Sequence, residues 1–179
     1  VCQKLCHFDK MKKIFISIAL LISAAVSLKA QNADTPFEYP VVPDSLEKLQ
    51  DRTAFLMTRF WDKADMKKVL ADSAAFNKAF SDFVSFIPYT NADTVKYAIN
   101  KLTGQYKDDP KNLLKLANAA EKELFGPEAQ FWADEQYMLF TRPVFNNKKI
   151  SSKDKNKFFD HVKMLNGSQV GSTVSPLSY

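Results

Sequence analysis

Cysteine is almost absent from this sequence, and both cysteines lie within the first six residues. Cys2 and Cys6 stand beside His7, but two thiols and one imidazole are one ligand short of a four-coordinate zinc site. No cysteine follows Cys6. The rest of the chain therefore has no disulfide, no thiolate nucleophile and no cysteine that could carry a lipid anchor.

Histidine and glycine are also scarce, with two and four residues. The serines contain no G-x-S-x-G motif, and no glycine-rich phosphate loop occurs. His161 is the single histidine after residue 10, and one imidazole without partners makes neither a metal site nor a catalytic triad. We therefore expect no catalytic residue, no cofactor and no metal in this chain, which is not expected to be an enzyme.

A hydrophobic run near the N-terminus is too short to cross a bilayer. It covers 14 residues, 14–27, whereas a spanning helix needs about 20. Two lysines precede it, and Ala30 is a suitable last residue before a cleavage site. Residues 11–30 therefore predict a secretory signal peptide, with Gln31 as the new N-terminus and no membrane span after cleavage. An uncleaved membrane anchor is the alternative. The signal predicts export to the periplasm.

Leaving out the predicted signal peptide and the segment before it lowers the net charge of the chain. Because a signal peptide normally begins at the initiator methionine, Met11 is the expected start and residues 1–10 are expected to be extra sequence. Removing residues 1–30 removes five of 25 basic and one of 20 acidic residues, so the net charge falls from +5 to about +1. This balance gives no reason to expect a nucleic-acid partner.

The remaining 149 residues predict one all-α domain. Residues 31–43 contain three prolines and form an expected extended arm that lays Phe37 and Tyr39 on the body. Residues 44–167 show apolar stripes at helical spacing and no sustained alternation of period two. We predict an irregular antiparallel bundle of about six helices. They are expected at residues 44–64, 72–87, 91–106, 110–125, 132–140 and 152–165. The alternative end of the fifth helix is residue 145, and Pro143 is expected to bend or end this helix.

Local signals set the expected helix ends. Asp44 with Glu47 resembles a capping box for the first helix, whereas Asn91 and Asp109 are expected N-caps of later helices. Residues 65–71 predict one loose turn with poor caps. Residues 168–179 are rich in serine and glycine and then alternate apolar with small polar residues, which predicts a linker entering a β-strand.

The candidate recognition residues are Trp61, Asp62 and Arg59, which lie at or just before the aromatic corner Phe60-Trp61-Asp62. Trp61 is one because tryptophan is enriched at binding hot spots, although an aromatic residue beside a helical stripe more often widens the core. Asp62 is expected to bond the indole or a backbone N–H of the next loop. Arg59 is expected to face solvent or to pair with Asp62.

Four segments of the chain together carry a resemblance. They are Phe60-Trp61-Asp62, the helix from Ala75 into Ile87-Pro88, Ala120 to Leu124 before Gly-Pro, and Leu165 to Gly171. Over about residues 37–179 the chain resembles the helical domain of unknown function that precedes a thioredoxin-like, thiol-disulfide oxidoreductase domain in exported proteins of Bacteroides-type bacteria. The resemblance implies that such a domain, with its C-x-x-C pair, follows residue 179 as a partner in cis. It implies no catalytic residue in the helical part.

Two hypotheses follow. In the first, the chain is a non-catalytic accessory module that positions or selects protein or peptide substrates for the redox domain. In the second, it is a stand-alone periplasmic binding module for a peptide or a small apolar ligand.

Overall fold

The computed structural model describes residues 35–167. This range contains seven α-helices, one 3-10 turn and no strand, which confirms the all-α prediction. The predicted upstream sequence (1–10), the signal peptide (11–30) and the linker (168–179) lie outside the described residues, as do positions 31–34 of the arm. The elements are α1 Leu49–Arg59, α2 Met66–Ala71, α3 Ser73–Val84, a 3-10 turn Ile87–Tyr89, α4 Ala92–Gly104, α5 Pro110–Leu124, α6 Asp134–Asn146 and α7 Ser152–Gly167.

Side-chain caps begin the helices at most of the predicted places. The carboxylate of Asp72 accepts from the backbone N–H groups of Ala74 and Ala75 at the start of α3. Asn91 caps α4 through the N–H of Thr94. Asp109 caps α5, and Pro110 occupies its first turn. Each cap satisfies N–H groups that a helix leaves without an internal partner.

Helix α6 lies at the centre of the helical body. It packs against α4, α5 and α7, and the ring of its Phe140 lies 5.3 Å from that of Phe80 on α3. Tyr137, Phe140 and Val144 are each 0% exposed. The helix runs through Pro143 to Asn146, so the longer of its two predicted ends is close to the observed one and Pro143 does not end the helix. Around it, α1 packs on α4, α2 on α3, and α3 on α5.

Helix α1 begins later than predicted, and the capping box at its start is wrong. The helix starts at Leu49 after Lys48, which makes no side-chain cap hydrogen bond. The preceding residues form a turn instead, in which the N–H of Leu46 donates to the carbonyl of Pro43. The side chain of Arg52 then donates to the Leu46 carbonyl at 2.8 Å. In a longer helix the Leu46 carbonyl would accept from the N–H of Gln50, whereas here it accepts from Arg52.

The loose turn predicted at residues 65–71 is a short helix, α2. Asp65 caps it by accepting from the N–H of Lys68, a signal that the sequence interpretation undervalued. This helix brings the number within residues 35–167 to seven, one more than predicted. None of the helices in that range is both long and apolar enough to cross a membrane.

The N-cap of α5 tests whether a capping residue predicted from the sequence stabilises the fold. Asp109→Ala removes the acceptor of the Asn112 N–H at 3.1 Å and of the Asn112 amide at 2.7 Å. We expect it to lower the free energy of unfolding by about 0.5–2 kcal/mol in urea titrations. Asp108→Ala is the matched control, since Asp108 is exposed and is not the N-cap. Equal losses in the two variants would show that the cap does not stabilise α5.

Candidate functional site

Aromatic side chains converge where α1 ends. Phe60 is 1% exposed, and its ring centroid lies 4.6 Å from that of Tyr39, 4.9 Å from that of Trp61 and 5.5 Å from that of Phe83. The arm thus contributes directly to this packing, because Phe37 and Tyr39 both contact Phe60. Such ring pairs stabilise beyond their buried area. We call this group the aromatic cluster: Phe37, Tyr39, Phe60, Trp61, Phe83 and Phe86.

Trp61 lies in the turn after α1 and is partly buried. Its ring centroid is 5.6 Å from those of both Phe37 and Phe83, so the arm and α3 each cover part of the ring. The indole Nε1 is buried, and no atom of residues 35–167 accepts a hydrogen bond from it. These contacts are those of a side chain that packs the core, and they leave little of the ring for a ligand.

Asp62 and Arg59 do not pair with each other. Asp62 accepts from Lys101 Nζ on α4 at 2.8 Å, and the same ammonium donates to the carbonyl of Thr58 at 3.1 Å. Arg59 is exposed, with its guanidinium 5.2 Å from the ring of Phe55. Of the two alternatives expected for Arg59, exposure to solvent is confirmed and pairing with Asp62 is not observed. The expected hydrogen bond between the Trp61 indole and Asp62 is wrong. Asp62 pairs with Lys101 and not with Arg59 because the Lys101 ammonium also donates to a carbonyl at the C-terminal end of α1.

A narrow cleft lies beside Trp61, between α1 and α4. Its empty volume is about 200 Å³ with open solvent included, which is below the range of about 300–1,000 Å³ that is typical of small-molecule pockets. The lining residues are Met57, Thr58, Trp61, Ala98, Lys101, Leu102 and Gln105.

The arm is also held by polar contacts. Tyr39 donates its hydroxyl proton to Asp82 at 2.7 Å, and Lys78 pairs with the same carboxylate at 3.1 Å. Glu38 forms an exposed ion pair with Lys63. Burial, and then the bond to Asp82, raise the pKa of the Tyr39 phenol far above its ordinary value. The phenol therefore stays protonated and keeps the arm attached.

A second polar pair was missed by the sequence interpretation. The hydroxyl of Tyr137 and Nδ1 of His161 lie 2.8 Å apart, joining α6 to α7. The imidazole stacks on Phe125 with ring centroids 4.1 Å apart and an interplanar angle of 15°. His161 follows the fully buried Phe158 by three residues, and this helical spacing was the available signal. Within residues 35–167 no group of three or more His, Cys, Asp or Glu side chains could hold a metal.

Comparison with known proteins places the chain in a family. A model described as "Domain of unknown function (DUF5106)" matches residues 10–168. The chain belongs to this family. A search of curated proteins finds no match for this DUF5106 domain.

A solved structure shares the fold of this DUF5106 domain. It is a thioredoxin-like protein from Bacteroides caccae ATCC 43185, to which the chain is similar with a TM-score of 0.63 and 18% sequence identity. The similarity covers 78% of this chain and 51% of that protein. The chain thus spans about half the length of the similar protein. At this identity the likeness establishes the fold and no residue role.

Replacing Trp61 tests whether the indole is structural or a recognition group. We expect Trp61→Ala to lower the free energy of unfolding by about 3 kcal/mol, because it removes ring contacts with Phe37, Phe60 and Phe83. Trp132→Ala is the control, since Trp132 is 57% exposed, and it should cost about 1 kcal/mol or less. Urea denaturation measures both. A Trp61→Ala protein with unchanged stability that no longer binds a partner would assign Trp61 to recognition instead.

Phenol ionisation tests the packing of three tyrosines. Burial raises the pKa of Tyr39, Tyr106 and Tyr137, with smaller contributions from Asp82, Asp109 and Glu121 respectively. The unfolded chain releases these protons near pH 10, whereas the folded protein retains them. The contribution of these three phenols to the free energy of unfolding is therefore fully present below about pH 10, and it is lost as the pH rises from there towards their raised pKa values.

Ultraviolet absorbance of the phenolate follows this titration. We expect Tyr39→Phe and Tyr137→Phe each to remove one late-ionising group from the folded protein. Ionisation of all six tyrosines in one step near pH 10, without unfolding, would contradict the burial of these phenols.

Proposed function

We propose that this DUF5106 domain is the non-catalytic helical accessory module of an exported thiol-disulfide oxidoreductase, and that a thioredoxin-like domain follows it in the same protein. In this role the module positions or selects protein substrates for the redox domain. The proposal concerns the whole protein, of which these 179 residues would be the N-terminal part.

The observation that carries the proposal is the extent of the structural likeness. The chain covers 51% of the thioredoxin-like protein from Bacteroides caccae, so about half of that protein has no counterpart here. A remainder of that size is sufficient for a further domain of ordinary length. Because that protein is thioredoxin-like, a redox domain is the remainder that we propose.

The scarcity of cysteine in this chain agrees with a non-catalytic module beside a separate redox domain. Thiol–disulfide exchange requires a thiolate that attacks a disulfide sulfur, and no cysteine follows Cys6. An exchange reaction at the folded module would therefore need cysteines from another domain or another chain. The packed aromatic cluster and the capped helices give a stable support for such a neighbour.

The alternative, a stand-alone binding module for a peptide or small apolar ligand, has less support. The cleft beside Trp61 has an empty volume of about 200 Å³, below the range of about 300–1,000 Å³ that is typical of small-molecule pockets, so it does not favour a ligand site at the candidate recognition residues. A peptide on an open surface is compatible with either hypothesis.

The native protein and its gene test both the export and the domain order. We expect the reading frame to continue past Tyr179 into a domain with a C-x-x-C pair. Mass spectrometry of the periplasmic fraction should find a protein that begins at Gln31 and extends beyond Tyr179. A stop codon directly after Tyr179 would overturn the accessory role. Retention of residues 11–30 in the mature protein would overturn the cleavage while leaving that role intact.

Enzyme assays test what the module contributes. We expect the two-domain protein to reduce disulfides with dithiothreitol as the electron donor, and a Cys→Ser variant of its C-x-x-C pair to be inactive. A protein without residues 35–167 should keep its rate on a small disulfide and lose rate on a folded protein disulfide. Equal rates with and without the module on both substrates would contradict substrate positioning.

A further inference from the structure

Helices α6 and α7 run in opposite directions. Near the end of α6, the carbonyl of Phe145 accepts from Lys155 Nζ at 3.0 Å, in the first half of α7. One turn after the start of α6, the Tyr137 hydroxyl meets His161, which lies closer to the end of α7. The last turn of α7 therefore lies beside the start of α6, and the chain leaves the helical body at that end.

Helix α5 ends at the same end of the body. Lys157 on α7 pairs with Glu121 on α5 at 2.6 Å, and His161, about one turn later, stacks on Phe125, the residue that follows α5. These two helices therefore run in the same direction and end side by side. The loop that joins α5 to α6 thus crosses the end from which the chain leaves α7. We call residues 126–133 and 161–165 the exit surface.

Hydrogen bonds fix the loop of the exit surface. The carboxylate of Asp134 accepts from the Gly126 N–H at 3.1 Å and from Trp132 Nε1 at 2.6 Å. The backbone N–H groups of Phe131 and Ala133 donate to carbonyls at the end of α5 at 3.0 and 2.8 Å. A loop that is already ordered loses little conformational entropy when a partner binds it, which favours binding.

Two large apolar side chains of the exit surface are exposed, Trp132 at 57% and Met164 at 59%. Because the Trp132 indole N–H is bonded to Asp134, the ring offers apolar area and no free donor. Met164 follows Lys157 by seven residues, so it lies on nearly the same side of α7, about two turns further along. That side faces the end of α5. Tryptophan is enriched at binding hot spots, and methionine adapts to irregular apolar surfaces.

The connection along the chain favours one partner for this surface. A domain that follows residue 179 is tethered to the exit surface through residues 168–179, and twelve residues reach at most about 40 Å. A short tether gives an effective concentration on the order of millimolar, so even a small apolar contact is occupied. A free protein or a second copy of this chain lacks that advantage and needs about 1,000 Å² or more of buried area.

We propose that the exit surface is the place where the thioredoxin-like domain docks on the helical module, with Trp132 and Met164 buried in the contact. This inference rests on the proposed function, because it requires that domain to follow in the same protein. It adds the face of the module that holds the redox domain. Docking at this face fixes the redox domain relative to the helices, as the positioning of a protein substrate requires.

Hydroxyl-radical footprinting, read by mass spectrometry, tests the contact. The native protein with its following domain is compared with the chain of 179 residues. We expect oxidation of Trp132 and Met164 to slow about threefold or more in the native protein, since a tethered contact that is closed two-thirds of the time leaves one-third of the exposure. Tyr97 on α4 is 59% exposed, lies outside the exit surface and should be oxidised equally in both proteins.

Two results of this comparison would contradict the docking surface. One is equal oxidation of Trp132 and Met164 in the two proteins. The other is that the 179-residue chain already protects both side chains, because residues of that chain or a second copy would then cover the surface without the redox domain.

Substitutions in the native protein test whether the two side chains act together. We expect Trp132→Ala to raise the oxidation of Met164 to its level in the 179-residue chain, and Met164→Ala to do the same for Trp132. Tyr97→Ala is the matched control and should leave both protected. Full protection of each side chain in the variant that lacks the other would show that they do not anchor the contact.

Reduction of a small disulfide by the wild-type native protein separates this inference from the proposed function. If that protein is active but does not protect Trp132 and Met164, the docking surface is wrong while the redox domain is present as proposed. A stop codon directly after Tyr179 would overturn both.

Discussion

Helix α6 presents Tyr137, Phe140 and Val144 to the interior without any exposed surface. Each fully buried side chain of this size stabilises the fold by about 1.5–3 kcal/mol. Because α4, α5 and α7 all pack on this one helix, the burial of its apolar face determines where the other helices can lie. The stacking of His161 on Phe125 and its bond to Tyr137 then attach α7 to the same centre.

The aromatic cluster forms a second packed region around Phe60. It joins the arm, the end of α1 and α3, so residues far apart along the chain share one set of rings. The packing that covers the Trp61 ring also buries its indole N–H, which has no hydrogen-bond partner among residues 35–167. The ion pair of Lys101 with Asp62 lies at the rim, where both side chains are about 40% exposed, and such a pair contributes at most about 1 kcal/mol.

These features describe how the helical body is packed. The titratable groups with raised pKa values are tyrosines that burial keeps protonated. The chain belongs to the DUF5106 family and shares its fold with about half of a thioredoxin-like protein. Under the proposed function, the chemistry of the whole protein depends on residues outside the folded helical body.

The sequence by itself determined the all-α class and the starts of α3, α4 and α5, because Asp72, Asn91 and Asp109 bond to N–H groups two or three residues away. It did not determine the start of α1, where Arg52 and the turn at Pro43 compete with helix formation. Only the tertiary structure decided that Lys101 pairs with Asp62 and that Tyr137 meets His161, since these partners are 39 and 24 residues apart. Periodicity shows which face of a helix is buried, but which helix covers that face depends on how all the helices pack together.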